Sequence, residues 1–282
     1  MIKRVERYTD VMFSFPAKLR YFAEVEAANG ALFCAYDNGA PAGIICLKDQ
    51  GNAFDTAYLY VNDEKRRQGF ALRLTEYAAC YARSLSKTMR FRVLENSEYS
   101  PALLKIAQSL NMKRGADMIF FKLEVNAQTR KLWQDYKPGL AARIARIEKR
   151  FGESRPVTFT EAGQDLLDRL KAEIGVELPW LDPFALPDLN PDFSIVVTHG
   201  DKITGFNAVR TIGRKMIYEI SSATYGITLA AGVPVFFDKL FASDIEIVTC
   251  AVYGDNQAGL SHAQGQFGFL FKESGRQTVY IL

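Results

Sequence analysis

The feature that most constrains the fold is a hairpin pattern that occurs once in each half of the chain. Residues 33–47 align without gaps with residues 195–209, and each segment reads as strand, tight turn, glycine and returning strand. Apolar runs on either side of such a turn are typical of β-hairpins. The segments that follow keep the order strand, helix, strand in both halves. The repeat predicts two mixed α/β units of about 125 residues each.

We therefore expect a first domain over residues 1–125, a helical linker over 126–152 and a second domain over 153–282. In the first domain Asn38-Gly39 predicts the hairpin turn, and Asn111 can end a helix in the left-handed conformation. Predicted strands cover 31–37, 43–47, 53–61, 89–93 and 118–123, with helices over 69–84 and from 101 to about 110. In the second domain, strands are predicted over 195–199, 205–209, 215–220, 245–252 and 278–282, and a helix over 233–242.

Composition excludes several classes of protein. The 282 residues are 48% hydrophobic and 24% charged, which is ordinary for a globular protein. A net charge of +3 is too small to indicate nucleic acid or a membrane as partner, and two histidines argue against most His-rich metal sites. The four cysteines are scattered, the N-terminus has no signal-peptide core, and no apolar run approaches the ~20 residues of a membrane span. We expect a reduced, cytoplasmic protein with no metal and no membrane contact.

Residues 127–151 form a basic segment with helical periodicity. One interpretation is a surface for nucleic acid or another acidic partner. The other is a solvated linker helix with Leu140, Ile144 and Ile147 on its buried side. The amphipathic spacing and the absence of an aromatic stacking platform favour the linker, so nucleic acid is not expected.

The segment from Leu59 to Ala71 carries the clearest chemistry. A predicted strand runs into a charged loop that contains Arg66 and Arg67, and a helix begins at Gly69. A helix N-terminus offers free N–H groups and the positive end of the helix dipole. Because Gly69 and Ala71 keep the backbone accessible, a diphosphate can lie against it. The alternative is a plain solvated loop before a helix.

This segment resembles motif A of the GNAT acyl-CoA transferases, whose pattern is [Q/R]-x-x-G-x-[G/A] after a strand. Arg66, Gly69 and Ala71 fill the pattern, and the order of elements over residues 30–124 is similar to that of the family. No G-x-x-x-x-G-K-[S/T] or G-x-G-x-x-G competes with it. The resemblance implies tandem GNAT-like domains, each with a mixed, largely antiparallel sheet flanked by helices.

The resemblance also implies a site. Acetyl-CoA would serve as co-substrate between two strands that splay apart, those ending at Val61 and Val93. An amine of a small molecule, amino acid or peptide would attack the thioester, with the oxyanion held by the N–H of Val61. The implied cofactor-binding residues are Leu59, Val61, Arg66, Arg67, Gln68, Gly69, Phe70, Ala71 and Asn96. For Asn96 a helix-capping role stays open.

Catalytic residues are less clearly marked. Asp55 is the candidate general base, with a turn residue as the alternative. The position at which the family often has a tyrosine acid holds Ala107, so the usual acid is absent. Tyr99 is the nearby candidate acid, with a surface or core aromatic as the alternative. Glu219, on a strand of the second half, is a reserve acid/base candidate that can equally be a solvated strand residue.

The second half departs from the motif. When Gly69 is aligned with Gly232, Leu229 and Pro234 replace Arg66 and Ala71, so this domain is predicted to be degenerate and to bind CoA poorly. It can complete the fold, shape the acceptor site or form a homodimer. The aromatic, proline-rich segment 178–187 can wall an acceptor pocket or be a packed loop. Two rival functions stay open: an acyl-CoA- or partner-binding protein without turnover, and an aminoacyl-tRNA-dependent transferase.

Overall fold

The computed structural model describes residues 1–5, 8–11, 14–16, 19, 30–94, 97–177, 184, 188–223 and 226–282. The chain forms two compact units. The first contains Met1–Met118 and, from the far end of the chain, Arg276–Leu282. The second contains Ile119–Glu177 and the described residues between 184 and 275. The expected linker over 126–152 is therefore part of the second unit.

The regular elements follow one another along the chain. In order they are β1 (Ile2–Arg4), β2 (Gly30–Asp37), β3 (Ala40–Asp49), β4 (Ala53–Val61), α1 (Phe70–Ser84), β5 (Thr88–Leu94), α2 (Ser100–Ser109), β6 (Lys113–Arg114), β7 (Met118–Glu124), α3 (Ala127–Phe151), β8 (Ser154–Thr158), α4 (Gln164–Glu177), β9 (Ile195–His199), β10 (Lys202–Ile212), β11 (Lys215–Ala223), α5 (Gly226–Ala242), β12 (Ile247–Tyr253), α6 (Gln257–Leu260) and β13 (Lys272–Ile281). Short 3₁₀ turns lie at Tyr8–Asp10 and Asp63–Lys65, and a π-helix covers Ser261–Gln266.

The sheet of the first unit has the order β1-β2-β3-β4-β5-β13, and β6 also pairs with β13. Among the described strands of this unit, only β4 and β5 pair in parallel. Helix α1 lies on one face, because Phe70, Leu74, Ala78 and Ala82 recur every four residues and form one buried stripe. The opposite face is covered by an N-terminal apolar cluster that includes Val5 and Tyr8. Strands β2 and β3 are thus buried on both faces.

The final strand of the first unit comes from the C-terminus of the chain. Residues Gln277–Ile281 pair antiparallel with β5, from Gln277 opposite Leu94 to Ile281 opposite Arg90. Strand β7, which the sequence assigned to the first domain, lies next to β12 in the second unit. The boundary expected at residue 125 therefore differs from the structure, because β7 and β13 exchange places between the two units.

The second unit repeats the plan with the sheet order β8-β9-β10-β11-β12-β7, in which β11 and β12 are parallel. Helix α3 contributes Trp133 and Leu140, both fully buried, to its core. The indole N–H of Trp133 donates to Asp238 at 3.0 Å, and Lys137 pairs with the same carboxylate at 2.6 Å. Helix α3 is thus amphipathic, as the linker interpretation expects: one side is buried in the core of the second unit and the exposed side is basic.

Matching irregularities in the two sheets confirm the repeat. The β3–β4 ladder has a register shift between Cys46 and Leu47, and the β10–β11 ladder has one between Ala208 and Val209. These are equivalent positions in the gapless alignment of the two hairpins. A β-bulge bends its strand and increases the local twist. We therefore expect β4 to bend at Ala57 and β11 to bend at Glu219, each close to the end of its pairing with the parallel neighbour.

Candidate functional site

Strands β4 and β5 form a V. They pair only through Ala53–Asp55 of β4 and Thr88–Arg90 of β5, although β4 continues to Val61 and β5 to Leu94. The extra residue at the bulge, Ala57, lies two residues beyond the last paired residue, Asp55. The bulge thus supplies a physical reason for the separation, and it opens an edge of β4 that has no strand beside it among the described residues.

The backbone of β4 presents hydrogen-bonding groups to this open edge. The N–H of Asn62 donates to the carbonyl of Ala42 on β3 at 3.0 Å, so the carbonyl of Val61, in the same peptide group, points away from β3. The Nε of Arg66 accordingly donates to this carbonyl at 3.2 Å. In an extended strand the N–H and C=O of one residue point the same way and alternate with a period of two. The backbone groups of Val61 and Leu59 therefore face the V.

The loop after β4 leads into the N-terminus of α1, which has no side-chain cap. Arg67 and Gly69 both have left-handed backbone conformations, with φ of 61° and 81°. Gly69 is the N-cap of α1 and supplies no side-chain cap, and a Cβ built on it would meet nothing within 4 Å. The first N–H groups of α1, at Phe70 and Ala71, are thus left for an external acceptor.

Close packing fixes this helix against the sheet. A Cβ on Gly43 of β3 would lie 2.9 Å from the carbonyl oxygen of Tyr60, 3.1 Å from Val61 Cγ2 and 3.2 Å from Leu74 Cδ1. A side chain at position 43 of β3 would therefore collide with β4 and α1, and glycine avoids this collision. Gly43 is the glycine of the repeated hairpin. The same residue that marks the repeat in the sequence therefore allows α1 to pack closely against β3 and β4.

The side chains of the loop are disposed unevenly. Arg67 is exposed, and it forms no hydrogen bond or ion pair with the residues that the structure describes. Gln68 Nε2 donates to the carbonyl of Glu64 at 2.9 Å, which folds the loop on itself. Arg73, one turn into α1, donates to the carbonyl of Gln68 at 3.4 Å and lies over the Phe70 ring. Arg67 and Arg73 thus add positive charge at the helix start.

Arg66 lies elsewhere than at the helix N-terminus. Its guanidinium carbon is 5.2 Å from the ring centroid of Tyr99 and 5.9 Å from that of Tyr60, and its Nη2 pairs with Asp63 at 2.6 Å. Tyr99 is 47% exposed at the start of α2. A hydrogen bond to Glu98, and that residue's charge, raise the pKa of Tyr99 above its ordinary value. The structure thus brings together two predicted site residues, Arg66 and Tyr99, that the sequence did not connect.

Asp55 is a buried, ion-paired strand residue and not a turn residue. It is 1% exposed and lies opposite Arg90 at the closed end of the V. Its carboxylate forms an ion pair with Arg92, and its other oxygen is 3.8 Å from Arg90 Nη1. Two arginines at alternate positions of β5 share a face of the strand, and this spacing was a signal in the sequence that a buried carboxylate faces them.

Two predicted site residues cannot be placed fully. Asn96 lies outside the described residues, and so does most of segment 178–187. The backbone of Glu219 lies in β11 as the extra residue at the bulge of the second unit, and its side chain is outside the described part. Within the described ranges no cluster of three or more His, Cys, Asp or Glu suited to a metal occurs, and no helix is long and apolar enough to cross a bilayer.

The second unit lacks the long loop of the first. Only residues 224 and 225 separate β11 from α5, whereas eight residues, 62–69, separate β4 from α1. The helix expected to begin at 233 begins at Gly226, which places Gly232 and Pro234 inside α5. The alignment of Gly232 with Gly69 is therefore not an alignment of helix starts. The sequence could not show this, because apolar small residues fit a helix interior and a helix start equally well.

Comparison with known proteins agrees with this architecture. Residues 3–106 match the family model described as Acetyltransferase (GNAT) family. A tandem GNAT protein from the clavulanic acid biosynthesis pathway superposes with a TM-score of 0.58 at 15% identity, over 89% of this chain and 82% of that one. A GCN5-related N-acetyltransferase from Sphaerobacter thermophilus superposes with a TM-score of 0.54 at 13% identity, over 100% and 95%. No curated protein matches the chain by sequence.

Residues 3–106, within the first unit, therefore match the GNAT acetyltransferase family, and the chain as a whole shares the fold of the tandem GNAT protein. The matched range includes residues 59–71, the segment that resembles motif A. The identities of the solved relatives are too low to carry a substrate to this chain.

Proposed function

We propose that this protein is an acyl-CoA-dependent N-acyltransferase that moves an acetyl group from acetyl-CoA to a primary amine of a small molecule, amino acid or peptide. The observation that carries the proposal is the open V of β4 and β5 beside an uncapped helix N-terminus. An extended amide chain can add to the open strand edge while an anion binds at the helix start.

Different residues of the first unit would bind different parts of acetyl-CoA. Backbone groups of Leu59 and Val61 would pair with the amides of the pantetheine arm. The N–H groups from Arg67 to Ala71 would hold the diphosphate, with Arg67 adding charge. The N–H of Val61 would stabilise the thioester oxygen, which gains negative charge as the amine nitrogen bonds to the carbonyl carbon and the C–S bond breaks.

Proton transfers are assigned to Asp55 and Tyr99. A tyrosine is protonated at neutral pH because its ordinary pKa is about 10, and the pKa of Tyr99 is raised further, so its hydroxyl can donate a proton to the leaving thiolate. Asp55 would accept the amine proton only after it leaves its arginine partners, and water in the V can take its place. Glu219 remains a reserve candidate in the second unit.

The test is acetyl-CoA binding by calorimetry with Gly69→Glu and a matched control, Gly213→Glu. Both glycines have positive φ, and a Cβ at either position meets nothing within 4 Å, so the two changes are alike in backbone strain and added charge. Only Gly69→Glu places a carboxylate at the anion site. We expect wild type and Gly213→Glu to bind and Gly69→Glu not to bind.

Turnover is measured next, by release of free CoA thiol with a panel of amines: amino acids, spermidine, tryptamine and a dipeptide. Thiol release with one of them supports transfer. Absence of acetyl-CoA binding at millimolar concentration, in a folded protein, would contradict the proposed function.

A second candidate is acyl-CoA binding without turnover. The pairing of Asp55 with Arg92 favours it, because the candidate base is engaged in a structural contact. Saturable binding without thiol release from any amine would support this second function.

A further inference from the structure

The side chain of Arg66 makes four contacts that have nothing to do with the helix N-terminus. Its Nε donates to the Val61 carbonyl at 3.2 Å, its Nη2 pairs with Asp63 at 2.6 Å, and its guanidinium lies over the rings of Tyr60 and Tyr99. The side chain keeps 38% of its surface exposed to solvent, so these contacts hold it at the protein surface. An arginine used only to attract a diphosphate would not need them.

These contacts join the two sides of the V at its open end. Tyr60 belongs to β4, whereas Tyr99 lies at the start of α2, beyond β5. The start of α2 is itself tied to the end of β5, because Ser100 Oγ donates to the carbonyl of Leu94 at 2.6 Å. A guanidinium within about 6 Å of an aromatic ring centroid is attracted to the ring face, and Arg66 makes two such contacts. Arg66 therefore connects the end of β4 to the start of α2, where β4 and β5 are no longer paired.

The contact with Val61 also has an electrostatic consequence. The carbonyl and the N–H of Val61 lie on the same edge of β4, so an uncompensated carbonyl would repel an oxyanion that approaches the N–H. The Nε–H of Arg66 compensates the partial negative charge of that carbonyl, while the rest of the guanidinium pairs with Asp63. Charge stabilisation of this kind counts most where water is excluded.

We propose that Arg66 is a positioning residue for acyl transfer: it fixes the Val61 peptide and the width of the V, in place of the diphosphate contact that motif A implies for it. The proposal rests on the proposed function, since it concerns the same site. It predicts that Arg66 affects the chemical step and not chiefly the affinity for the nucleotide end of CoA.

The first test compares two thioesters, acetyl-CoA and S-acetylpantetheine, with the fastest amine of the panel. S-Acetylpantetheine lacks the diphosphate, so a residue that acts through the diphosphate cannot affect its turnover. We expect Arg66→Ala and Arg66→Lys to lower kcat about 10- to 100-fold with both thioesters, less than the loss of an oxyanion donor itself. Lysine keeps the charge but has neither the Nε donor nor the planar group, so it should not rescue.

The control is Arg83→Ala, at the exposed C-terminal end of α1. It should match wild type with both thioesters. A loss confined to the KM of acetyl-CoA, or full rescue by lysine, would overturn the positioning role while leaving the proposed function intact. Wild-type protein that turns over neither thioester would instead count against the proposed function.

A second measurement does not depend on the amine. Hydrogen exchange of the segment 59–62 reports how firmly the end of β4 is held, including the hydrogen bond from Asn62 to Ala42. We expect faster exchange of this segment in Arg66→Ala and Arg66→Lys than in Arg83→Ala, with the thermal midpoint little changed. Unchanged exchange in both Arg66 variants would refute the anchoring of Val61.

Discussion

Asp55 offers a perturbation that separates a structural carboxylate from a catalytic one. The change Asp55→Asn keeps the size and one oxygen of the side chain but removes the charge. In the structure this charge is 1% exposed and pairs with Arg92, with Arg90 at 3.8 Å. The side chains of the two arginines are 21% and 29% exposed, so they keep some contact with water when the partner is neutralised.

The magnitude follows from this burial. Removal of one partner of a fully buried ion pair costs about 3–5 kcal/mol, because it leaves a buried charge uncompensated. Partial hydration of the arginines and the remaining amide oxygen reduce the expected cost to about 2–3 kcal/mol. For a unit of this size, at about 3–5 °C per kcal/mol, that corresponds to a fall in the thermal midpoint of about 6–15 °C.

The assay is a thermal melt followed by turnover well below the midpoint. The control Asp49→Asn breaks the 2.5 Å pair with Lys87, whose groups are 21% and 25% exposed, and should cost below about 1 kcal/mol. Replacing Asp55 and Arg92 together by leucine and methionine should recover part of the loss, since only Arg90, which is 29% exposed, then loses its partner. An unchanged midpoint together with a 10²- to 10⁴-fold loss of kcat would refute the structural argument and establish Asp55 as the base.

Three further predictions concern the frame of the site. Gly43→Ala should destabilise the protein by about 1–3 kcal/mol in urea unfolding, because its Cβ would lie 2.9 Å from the Tyr60 carbonyl; an unchanged midpoint would contradict this. Deletion of residues 276–282 should abolish acetyl-CoA binding and lower the melting temperature, since β5 loses its antiparallel partner; retained binding would show that β5 does not need it. At pH 8 a thiol reagent should label exposed Cys80 but not Cys34, whose thiol pKa burial raises to about 11; labelling of Cys34 in native protein would contradict its burial.

Much of the first unit was readable from local sequence. Asn38, Gly39 and Asn111 all have the positive φ that their turn and cap positions predict. The strand, charged loop and helix around Gly69 were also predictable, because apolar periodicity and a glycine at the start of a helix are local signals. What local signals could not supply was the partner of each charged group. Asp55 and Arg92 are far apart in sequence, and only the short parallel pairing of β4 and β5 brings them together.

The chain by itself determined which segments are strands and helices, where the hairpin repeat lies, and where a helix start is open to an anion. Only the tertiary structure decided which edge each strand joins. Strands β7 and β13 have the composition of strands in either unit, since unpaired backbone groups on any sheet edge offer the same hydrogen bonds. Their exchange, like the contact of Arg66 with Tyr99, is set by packing between residues distant in sequence. Hydrophobic periodicity in the sequence specifies which face of a strand is buried and how long the strand is, but it does not specify which strand lies beside it.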